Sequence, residues 1–540
     1  MELDLPSIPD AERTPLVETL LGIIDLLCQR VHTLEETVRQ LRDEIAVLKG
    51  QSPRPKIAPS ALTQPPPLPT PLDQKRPGSH KRSKNASFLT PTEVRLPFPD
   101  RPPGAVSNGY EEYLVQDLVL EAKVTRYLRE RILLPDGSTR LAPLPDAVLP
   151  GLHFGPGLLG FILNQHNQCN VTQGKLLEQL HDLGLEISEG ELSHLLTDNH
   201  DGFHQEKAEV LQAGLQSSVY VGVDDTGARH QGKNGYCTAI GNDLFAYFES
   251  TDSKSRLNFL QVLRGPATAY TINEVAVAYW QRQQLAQALV EALQAGPCHF
   301  ADAAAWQARL KDLGMTSERH VRIATEGALL GQVIAQGVSP DLVILSDGAE
   351  QFNVLAHAAC WVHAERPLVR LIPYNDAHRA AIAGVRQHIW ELYRDLQAYQ
   401  TQPEVTQKAV LEARFDALCA QQTVYPSINN VLKEMRQHKS DLLRVLDCPA
   451  VPLHNNGTES IIRIYVQKRK ISGSTRSAAG RRCRDTFVSL MKTCRKLGIS
   501  FWQYLQDRLR RRGQIARLAE TIRQRAAEER AAKNAKAVPA

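Results

Sequence analysis

Residues 219–227 read VYVGVDDTG, a β-branched run that ends in two aspartates and a turn-forming Thr-Gly pair. Residues 341–348 repeat this design as DLVILSDG, which ends in Asp347 and Gly348. Short apolar runs bounded by turn residues predict buried strands. We therefore expect two strands that deliver carboxylates side by side at their C-terminal ends. An Asp-Gly pair after a strand is also common as a plain turn, so neither run decides the matter alone.

A third acidic candidate lies in residues 453–463, which read LHNNGTESIIR. Asn456 can cap a helix that carries Glu459 on its first turn, although the same spacing also fits an ordinary capping box. Two strand-borne aspartates and a helix-borne glutamate would supply the hard oxygen ligands that Mg²⁺ prefers. Two Mg²⁺ ions in such a site assist phosphodiester cleavage by activating the attacking oxygen and stabilising the leaving one. We expect two Mg²⁺ ions as cofactors, with Mn²⁺ as a substitute.

The order of these motifs resembles that of bacterial insertion-sequence transposases of the sixty-six type, also called TnpC-like transposases. The DDTG of residues 224–227 is similar to their Asp-Glu-Thr-Gly, and the SDG of residues 346–348 to their second aspartate motif. Residues 360–363, CWVH, resemble their Cys-Trp-x-His strand, and residues 455–459, NNGTE, their Asn-Asn-x-x-Glu helix. Arg469-Lys470 and Gly473-Ser474 match as well, and the resemblance covers roughly residues 156–509.

The resemblance implies an α/β fold, with an RNase H-like mixed sheet flanked by helices and interrupted by helical insertions. It implies a DDE transposase that cleaves transposon ends and joins them to target DNA without a covalent protein intermediate. The implied catalytic and metal-binding trio is Asp224, Asp347 and Glu459. Asp224 is preferred over Asp225 because it holds the first position of its motif. Asp225 replaces a family Glu, and we assign it an auxiliary role.

The chain departs from the family pattern in two places. Family members often have a cysteine-rich zinc segment before the helical unit, whereas residues 111–141 contain no cysteine, so we expect no zinc there. Residues 265–339 separate the first two carboxylates and are predicted to form an added helical insertion of unknown role. A second helical stretch, residues 378–446, lies between Asp347 and Glu459 and either shields the DNA end or merely packs.

His363 and Arg366, which follow a predicted buried strand after Asp347, are auxiliary candidates. His363 is either a satisfied core residue, which is the commoner case for a histidine after a buried strand, or a direct participant at the site. Arg366 is a candidate phosphate contact.

Basic residues are concentrated after Glu459. From Arg463 to Arg512 there are fifteen Lys or Arg and only two Asp, whereas the whole chain has a net charge of +4. Such an imbalance argues against a self-neutralising surface and predicts contact with double-stranded DNA. Arg463 falls one helical turn after Glu459, on the same face. The predicted DNA-binding residues are Arg463, Lys468, Arg469, Lys470, Arg476, Arg481 and Arg482.

The first fifty residues carry a heptad pattern with β-branched residues at a and leucine at d, which favours a parallel two-stranded coiled coil. The alternative is an amphipathic helix packed on its own core. Fourteen prolines between residues 51 and 104 predict a basic, disordered linker. Alternation around Pro135-Asp136-Gly137 predicts a β-hairpin. Three short helices from residue 156 to 196 resemble a helix-turn-helix, which either reads DNA or only packs.

The sequence also predicts the domain boundaries and the cellular location of the protein. Nine scattered cysteines, no basic leader and no long apolar run predict a reducing, cytoplasmic, nucleoid-associated protein without membrane contact. We expect a homodimer and possible accessory transposition proteins. The predicted boundaries are 1–50 for the coiled coil, 51–104 for the linker, 105–150 for a small β-containing module, 151–210 for the helical region, 215–475 for the catalytic domain and 476–540 for a basic helical C-terminal region.

Two other functions fit parts of this pattern. A dimeric DNA-binding regulator would keep the coiled coil and the basic surface without using the acidic trio. A structure-specific nuclease on the same core would cut DNA but never join it.

Overall fold

The computed structural model of the protein describes residues 17, 92–97, 99–100, 103–111, 113, 115, 117–145 and 153–537. The predicted coiled coil of residues 1–50 and the linker of residues 51–104 fall almost wholly outside this part, so both stay predictions. The elements below all belong to one compact unit, Thr70–Ala540. Within the described residues, no helix is long and apolar enough to cross a membrane.

The hairpin predicted around Pro135-Asp136-Gly137 is confirmed. Strands β1 (Arg131–Leu133) and β2 (Thr139–Leu141) pair antiparallel. The Asp136 carboxylate accepts hydrogen bonds from the Ser138 amide and hydroxyl, and Gly137 adopts a φ of 79° that closes the turn.

Three helices follow where the sequence predicts them: α1 (Pro156–Asn167), α2 (Gln173–Asp182) and α3 (Glu189–Thr197). The Ser188 hydroxyl caps α3 by accepting a hydrogen bond from the Glu191 amide at 3.1 Å. Their apolar faces join the main hydrophobic core of the chain. DNA reading by this region stays a prediction.

The chain then enters the central sheet through helix α4 (Asp201–Ser217). Strands β3 (Tyr220–Gly227), β4 (Tyr236–Gly241) and β5 (Ala246–Thr251) form an antiparallel meander. Helix α5 (Arg256–Arg264) follows, with the Ser255 hydroxyl as its N-terminal cap. The β-branched run of residues 219–227 thus forms the predicted strand.

The stretch of residues 265–339 is helical, as predicted, but it also contains a small two-stranded ladder. Helix α9 is part of the core rather than an appendage, since ten of its residues are buried. The elements in chain order are β6 (Tyr270–Thr271), α6 (Glu274–Arg282), α7 (Gln287–Gln294), β7 (His299–Phe300), α8 (Ala303–Asp312) and α9 (Glu318–Ala335).

Strands β8 (Val343–Ser346) and β9 (Ala356–Ala359) complete a five-stranded mixed sheet of order β5-β4-β3-β8-β9. Strand β8 pairs parallel with both β3 and β9. All four residues of β8 are buried, as expected for a continuous apolar run covered on both faces. The α/β class and the mixed sheet predicted from the sequence are therefore confirmed.

Helix α10 (Trp361–Arg370) leaves β9 and leads into the second helical stretch. That stretch comprises α11 (Asp376–Thr401), α12 (Val405–Cys419), α13 (Pro426–Gln437) and the short α14 (Lys439–Leu442). Helix α14 packs on β9, so the stretch also covers the sheet edge.

Four helices close the chain: α15 (Asn456–Ser472), α16 (Ala478–Lys496), α17 (Phe501–Leu509) and α18 (Leu518–Ala537). Helix α16 packs across β5, α17 packs on α1, and α18 runs along α4. The predicted basic C-terminal region is therefore a large part of the core and not only a charged surface.

A buried carboxylate fastens these last helices to α4. Glu206, with no exposed surface, accepts hydrogen bonds from the Arg508 guanidinium, the Tyr504 hydroxyl and the Leu518 amide. These bonds and the positive charge of Arg508 offset burial and hold the pKa of Glu206 below its usual value.

Candidate active site

Asp224 and Asp347 lie on neighbouring strands at the same edge of the sheet, namely the edge formed by the C-terminal ends of β3 and β8. Gly222 on β3 is in register with Leu345 on β8, and each aspartate follows two residues later. Because the two strands are parallel, their C-terminal ends present both carboxylates on one side. Asp224 is half-buried, whereas Asp347 is exposed in the turn after β8. The prediction of two adjacent strand-borne carboxylates thus matches the register.

Glu459 reaches this edge because the N-terminus of α15 is docked on β3. Asn455 Nδ2 donates a hydrogen bond to the carbonyl oxygen of Val223 at 3.0 Å. Gly222 permits the close approach, since a Cβ there would overlap Thr458 Oγ1 and lie 2.9 Å from Asn455 Oδ1. The first turn of α15, which carries Glu459, is therefore held directly beside the strand that carries Asp224.

The electrostatics of Asp224 show that the three carboxylates share one environment. Burial, together with the negative charges of Asp347, Glu459 and Asp225, raises the pKa of Asp224 to about 7, although a hydrogen bond from the Asp225 amide opposes the shift. Glu459 Oε1 is buried and has no hydrogen-bond partner among the described residues. A buried carboxylate oxygen without a partner, with two further carboxylates at the same sheet edge, is suited to a cation, which would relieve both the repulsion and the missing contact.

The three carboxylates are chemically suitable ligands for Mg²⁺, but they are not arranged as a complete metal site. Within the described ranges, no group of three or more His, Cys, Asp or Glu side chains has the spacing needed to hold a metal ion. The carboxylates share an edge without converging on a single point.

His363, on α10, is the nearest basic neighbour of the trio. Its Nε2 lies 3.7 Å from Glu459 Oε1. Burial and the positive charge of Arg366 lower the pKa of His363, and the charges of Glu459 and Asp347 oppose this effect only in part. The imidazole of His363 therefore lies beside Glu459, at a distance that is too long for a direct hydrogen bond.

Asp225 belongs to a different set of contacts. Its Oδ1 accepts a hydrogen bond from Thr238 Oγ1 on β4 at 2.5 Å, and its Oδ2 accepts one from Gln351 Nε2 at 3.2 Å. Both oxygens are thus occupied, which suits a residue that fixes the edge of β3 rather than one that binds a metal ion directly.

A buried hydrogen-bond chain lies under the turn that carries Asp347. The Gly348 amide donates to Ser346 Oγ at 3.1 Å, and Ser346 Oγ is 2.8 Å from His357 Nε2. His357 Nδ1 is in turn 3.1 Å from Asp441 Oδ2 on α14. Ser346 has no exposed surface, so this Ser-His-Asp chain cannot act as a nucleophile on a substrate. It orients the turn instead.

The predicted DNA-binding residues fall into two groups. Arg463, Lys470, Arg476 and Arg482 are exposed, although Arg482 also lies 3.9 Å from the Asp201 carboxylate. The other three are engaged: Arg469 donates to Gly227 O and to Thr226 Oγ1, Arg481 pairs with Asp252 at 2.8 Å, and Lys468 is buried.

Lys468 is a correction to the predicted DNA-binding set. It is only 1% exposed, and its Nζ donates to the backbone carbonyl oxygen of His166 at 2.7 Å. Burial, followed by the nearby charge of Arg484, lowers the pKa of Lys468 to about 7. A side chain so enclosed joins α15 to α1 and does not reach a phosphate.

Sequence reasoning missed the residues that support the trio. Gly222 had no distinguishing signal, because a glycine in a strand is common. Asn455 belongs to the NNGTE motif, but its hydrogen bond to β3 was not predicted. His357 and Asp441 are far apart in the chain, and only the fold brings them together.

The fold and the site define an α/β protein with an acidic sheet edge and a largely basic helical segment after it. The sequence model of the Transposase IS66 family matches residues 316–482, a range that contains Asp347 and Glu459. The chain is also 41% identical over 317 residues to the uncharacterized protein y4jO of Sinorhizobium fredii strain NBRC 101917 / NGR234. That alignment spans 58% of this chain and 99% of the relative. The chain belongs to the Transposase IS66 family, and a transposase role follows from that membership.

Proposed function

We propose that the protein cleaves the ends of its insertion sequence and joins them to target DNA by metal-dependent DDE chemistry on an RNase H-like core. The observation that supports this most directly is geometric: Asp224 and Asp347 follow neighbouring parallel strands in register, and the helix of Glu459 is hydrogen-bonded to the strand of Asp224.

Asp224, Asp347 and Glu459 would hold two Mg²⁺ ions, with Mn²⁺ as a substitute. When bound, such ions supply Lewis-acid chemistry to the attacking and leaving oxygens of a phosphodiester. The residues around the three carboxylates hold them in position. Gly222 and Asn455 position Glu459, and the Ser346-His357 pair fixes the turn of Asp347.

The exposed basic residues after Glu459 would bind the phosphates of the DNA substrate. Arg463 lies one turn after Glu459 on α15, at a spacing that puts both side chains on one helix face. Pairing of two protomers through residues 1–50 would bring two active sites to the two transposon ends, since two-fold protein symmetry matches inverted repeats. Both points are part of the proposal, as is the location of the protein at the nucleoid.

The decisive experiment incubates the purified chain with Mg²⁺, labelled element ends and a target plasmid. We expect nicked ends and then joined products from the wild type. We expect neither product from Asp347→Asn, although its DNA affinity should be unchanged. Cutting without joining would indicate a nuclease, and DNA binding without either product in the wild type would indicate a regulator.

Metal binding can be tested separately from activity. Mg²⁺ should raise the melting temperature of the wild type, because a ligand that binds only the folded state stabilises it. Asp224→Asn should lose most of this increase, whereas Asp341→Asn, at an exposed position before the opposite end of β8, should keep it.

A further inference from the structure

Helix α10 has two distinct faces. Trp361, Val362, Glu365 and Leu368 are buried against the protein. His363, Arg366 and Arg370 follow one another at spacings of three and four residues, so they share the opposite face. We call these three residues the α10 stripe.

One end of the α10 stripe is at the active site, because His363 Nε2 lies 3.7 Å from Glu459 Oε1. Arg366 and Arg370 follow His363 by about one and two turns on the same helix face, so their side chains extend the stripe away from the site. The one carboxylate of helix α10, Glu365, is buried and bound by Arg386 at 2.6 Å. In the described part of the chain, neither Arg366 nor Arg370 forms an ion pair. Two cations beside an acidic site are thus left for an external anion.

The other end of the stripe leads to an exposed aromatic ring. Tyr374 is 73% exposed, and neighbouring Ile372 is 59% exposed. The ring is nevertheless held in place by edge contacts with His378 at 5.9 Å and Tyr425 at 6.2 Å, both measured between ring centroids. His378 and Tyr425 stack on each other at 4.1 Å. Tyr374 is therefore a supported aromatic platform open to solvent.

We propose that the α10 stripe and Tyr374 form a track for an unpaired DNA strand that leaves the active site, with phosphates on Arg366 and Arg370 and one base stacked on Tyr374. The inference rests on the proposed function, since it assumes that a phosphodiester lies at Glu459. The seven helical steps from His363 to Arg370 rise about 10 Å along the helix axis, so the two arginines can contact different phosphates of one strand.

An unpaired strand fits this surface better than a duplex does. Base stacking on an aromatic side chain requires an exposed base face, which a paired and stacked base does not offer. The arginines supply the backbone contacts that accompany such stacking in single-strand binding proteins. The apolar side chain of Ile372, exposed beside Tyr374, would widen the contact area for the base.

The test measures binding of the full chain, without divalent ions, to two fluorescent probes. One is a blunt duplex, and the other is the same duplex with a short single-stranded arm that carries 2-aminopurine. For Tyr374→Ala we expect about tenfold weaker binding of the armed probe and loss of 2-aminopurine quenching. Tyr374→Phe should restore both, because it keeps the ring. Trp502→Ala, at another partly exposed aromatic residue, is the control and should behave like the wild type.

The arginines are tested by salt dependence. Arg366→Ala and Arg370→Ala should each lower the salt slope for the armed probe by about 0.7, the value for one single-strand phosphate contact. Arg394→Ala, at an exposed arginine on α11, should leave it unchanged.

Two results would overturn the track: quenching that persists in Tyr374→Ala, or an equal loss of affinity for the armed and blunt probes. Because no probe is cleaved, these results are independent of the proposed function. If arm binding depends on Tyr374 in a chain that never joins ends, the track stands and the proposed function fails.

Discussion

Asp441 Oδ2 accepts a hydrogen bond from His357 Nδ1 at 3.1 Å, although the two residues are 84 positions apart. Through His357 Nε2 and Ser346, this contact reaches the turn that carries Asp347. Arg444 adds a second tie by donating from Nε to the carbonyl oxygen of His357 at 3.0 Å. The helical stretch of residues 378–446 is therefore hydrogen-bonded to the sheet edge that carries Asp347 and is not simply inserted between two motifs.

We predict that His357→Leu weakens both the fold and strand joining. The substitution leaves the Ser346 hydroxyl and the Asp441 carboxylate without their partner, at a cost of about 1–3 kcal/mol in the free energy of unfolding. Strand joining should fall more than DNA affinity, because the turn of Asp347 loses its orientation. The control is His438→Leu, since His438 is exposed and 3.7 Å from the same carboxylate. Equal effects of the two substitutions would contradict this role of His357.

Asp224 should make the metal-free protein less stable as the pH rises. Its pKa is raised from 3.8 to about 7 in the folded state, so between these values the folded protein binds a proton that the unfolded chain has released. Stability is then lost as the pH rises from about 4 to 7. Asp224→Asn should therefore raise the free energy of unfolding at pH 8 by about 1–2 kcal/mol, since solvent screening reduces the effect at a half-buried site.

The measurement is urea unfolding in a metal chelator at pH 5 and pH 8. Asp341→Asn serves as the control, because Asp341 is exposed and distant from the cluster in the strand register. A stabilisation by Asp224→Asn that is the same at both pH values would argue against a raised pKa at this position.

Gly222→Ala should separate α15 from β3. The added Cβ would overlap Thr458 Oγ1, and overpacking of this kind costs about 1–3 kcal/mol. We expect lower stability and a larger loss of strand joining, since Glu459 moves with the helix. Gly384→Ala is the matched control: no atom lies within 4 Å of a Cβ there, and α11 should gain helix propensity. Normal activity of Gly222→Ala would show that the close docking of α15 is dispensable.

The corrected DNA-binding set predicts different salt responses for two basic residues. Arg463→Ala should reduce the slope of log affinity against log salt by about 0.9, as expected when one duplex phosphate contact is lost. Lys468→Met should leave the slope unchanged, because its Nζ is buried against His166 O. A flat salt response of the wild type would contradict DNA binding by the exposed arginines, and an equal slope change for Lys468→Met would restore Lys468 to the set.

The sequence was sufficient for the strands that carry Asp224 and Asp347, because a continuous apolar run followed by turn residues leaves few alternatives. It also predicted the helix of Glu459, but not its cap: the helix begins at Asn456, and Asn455 stands at the N-cap position without a side-chain capping bond, so the prediction that Asn456 caps it was wrong. It was not sufficient for Lys468, since a lysine in a basic run looks the same whether its helix face is solvated or packed. The role of α16 was likewise hidden, because its dense arginines obscured the apolar face that packs on β5.

The contacts of Glu206 set an order of events during synthesis of the chain. Its partner Arg508 is made 302 residues later, which at typical rates takes tens of seconds. Until then α4, the helix that leads into β3, has neither its counter-charge nor the cover of α18. We expect that a ribosome-bound fragment ending before Arg508 lacks a settled β3, so the DNA cleavage proposed above would become possible only at the close of translation.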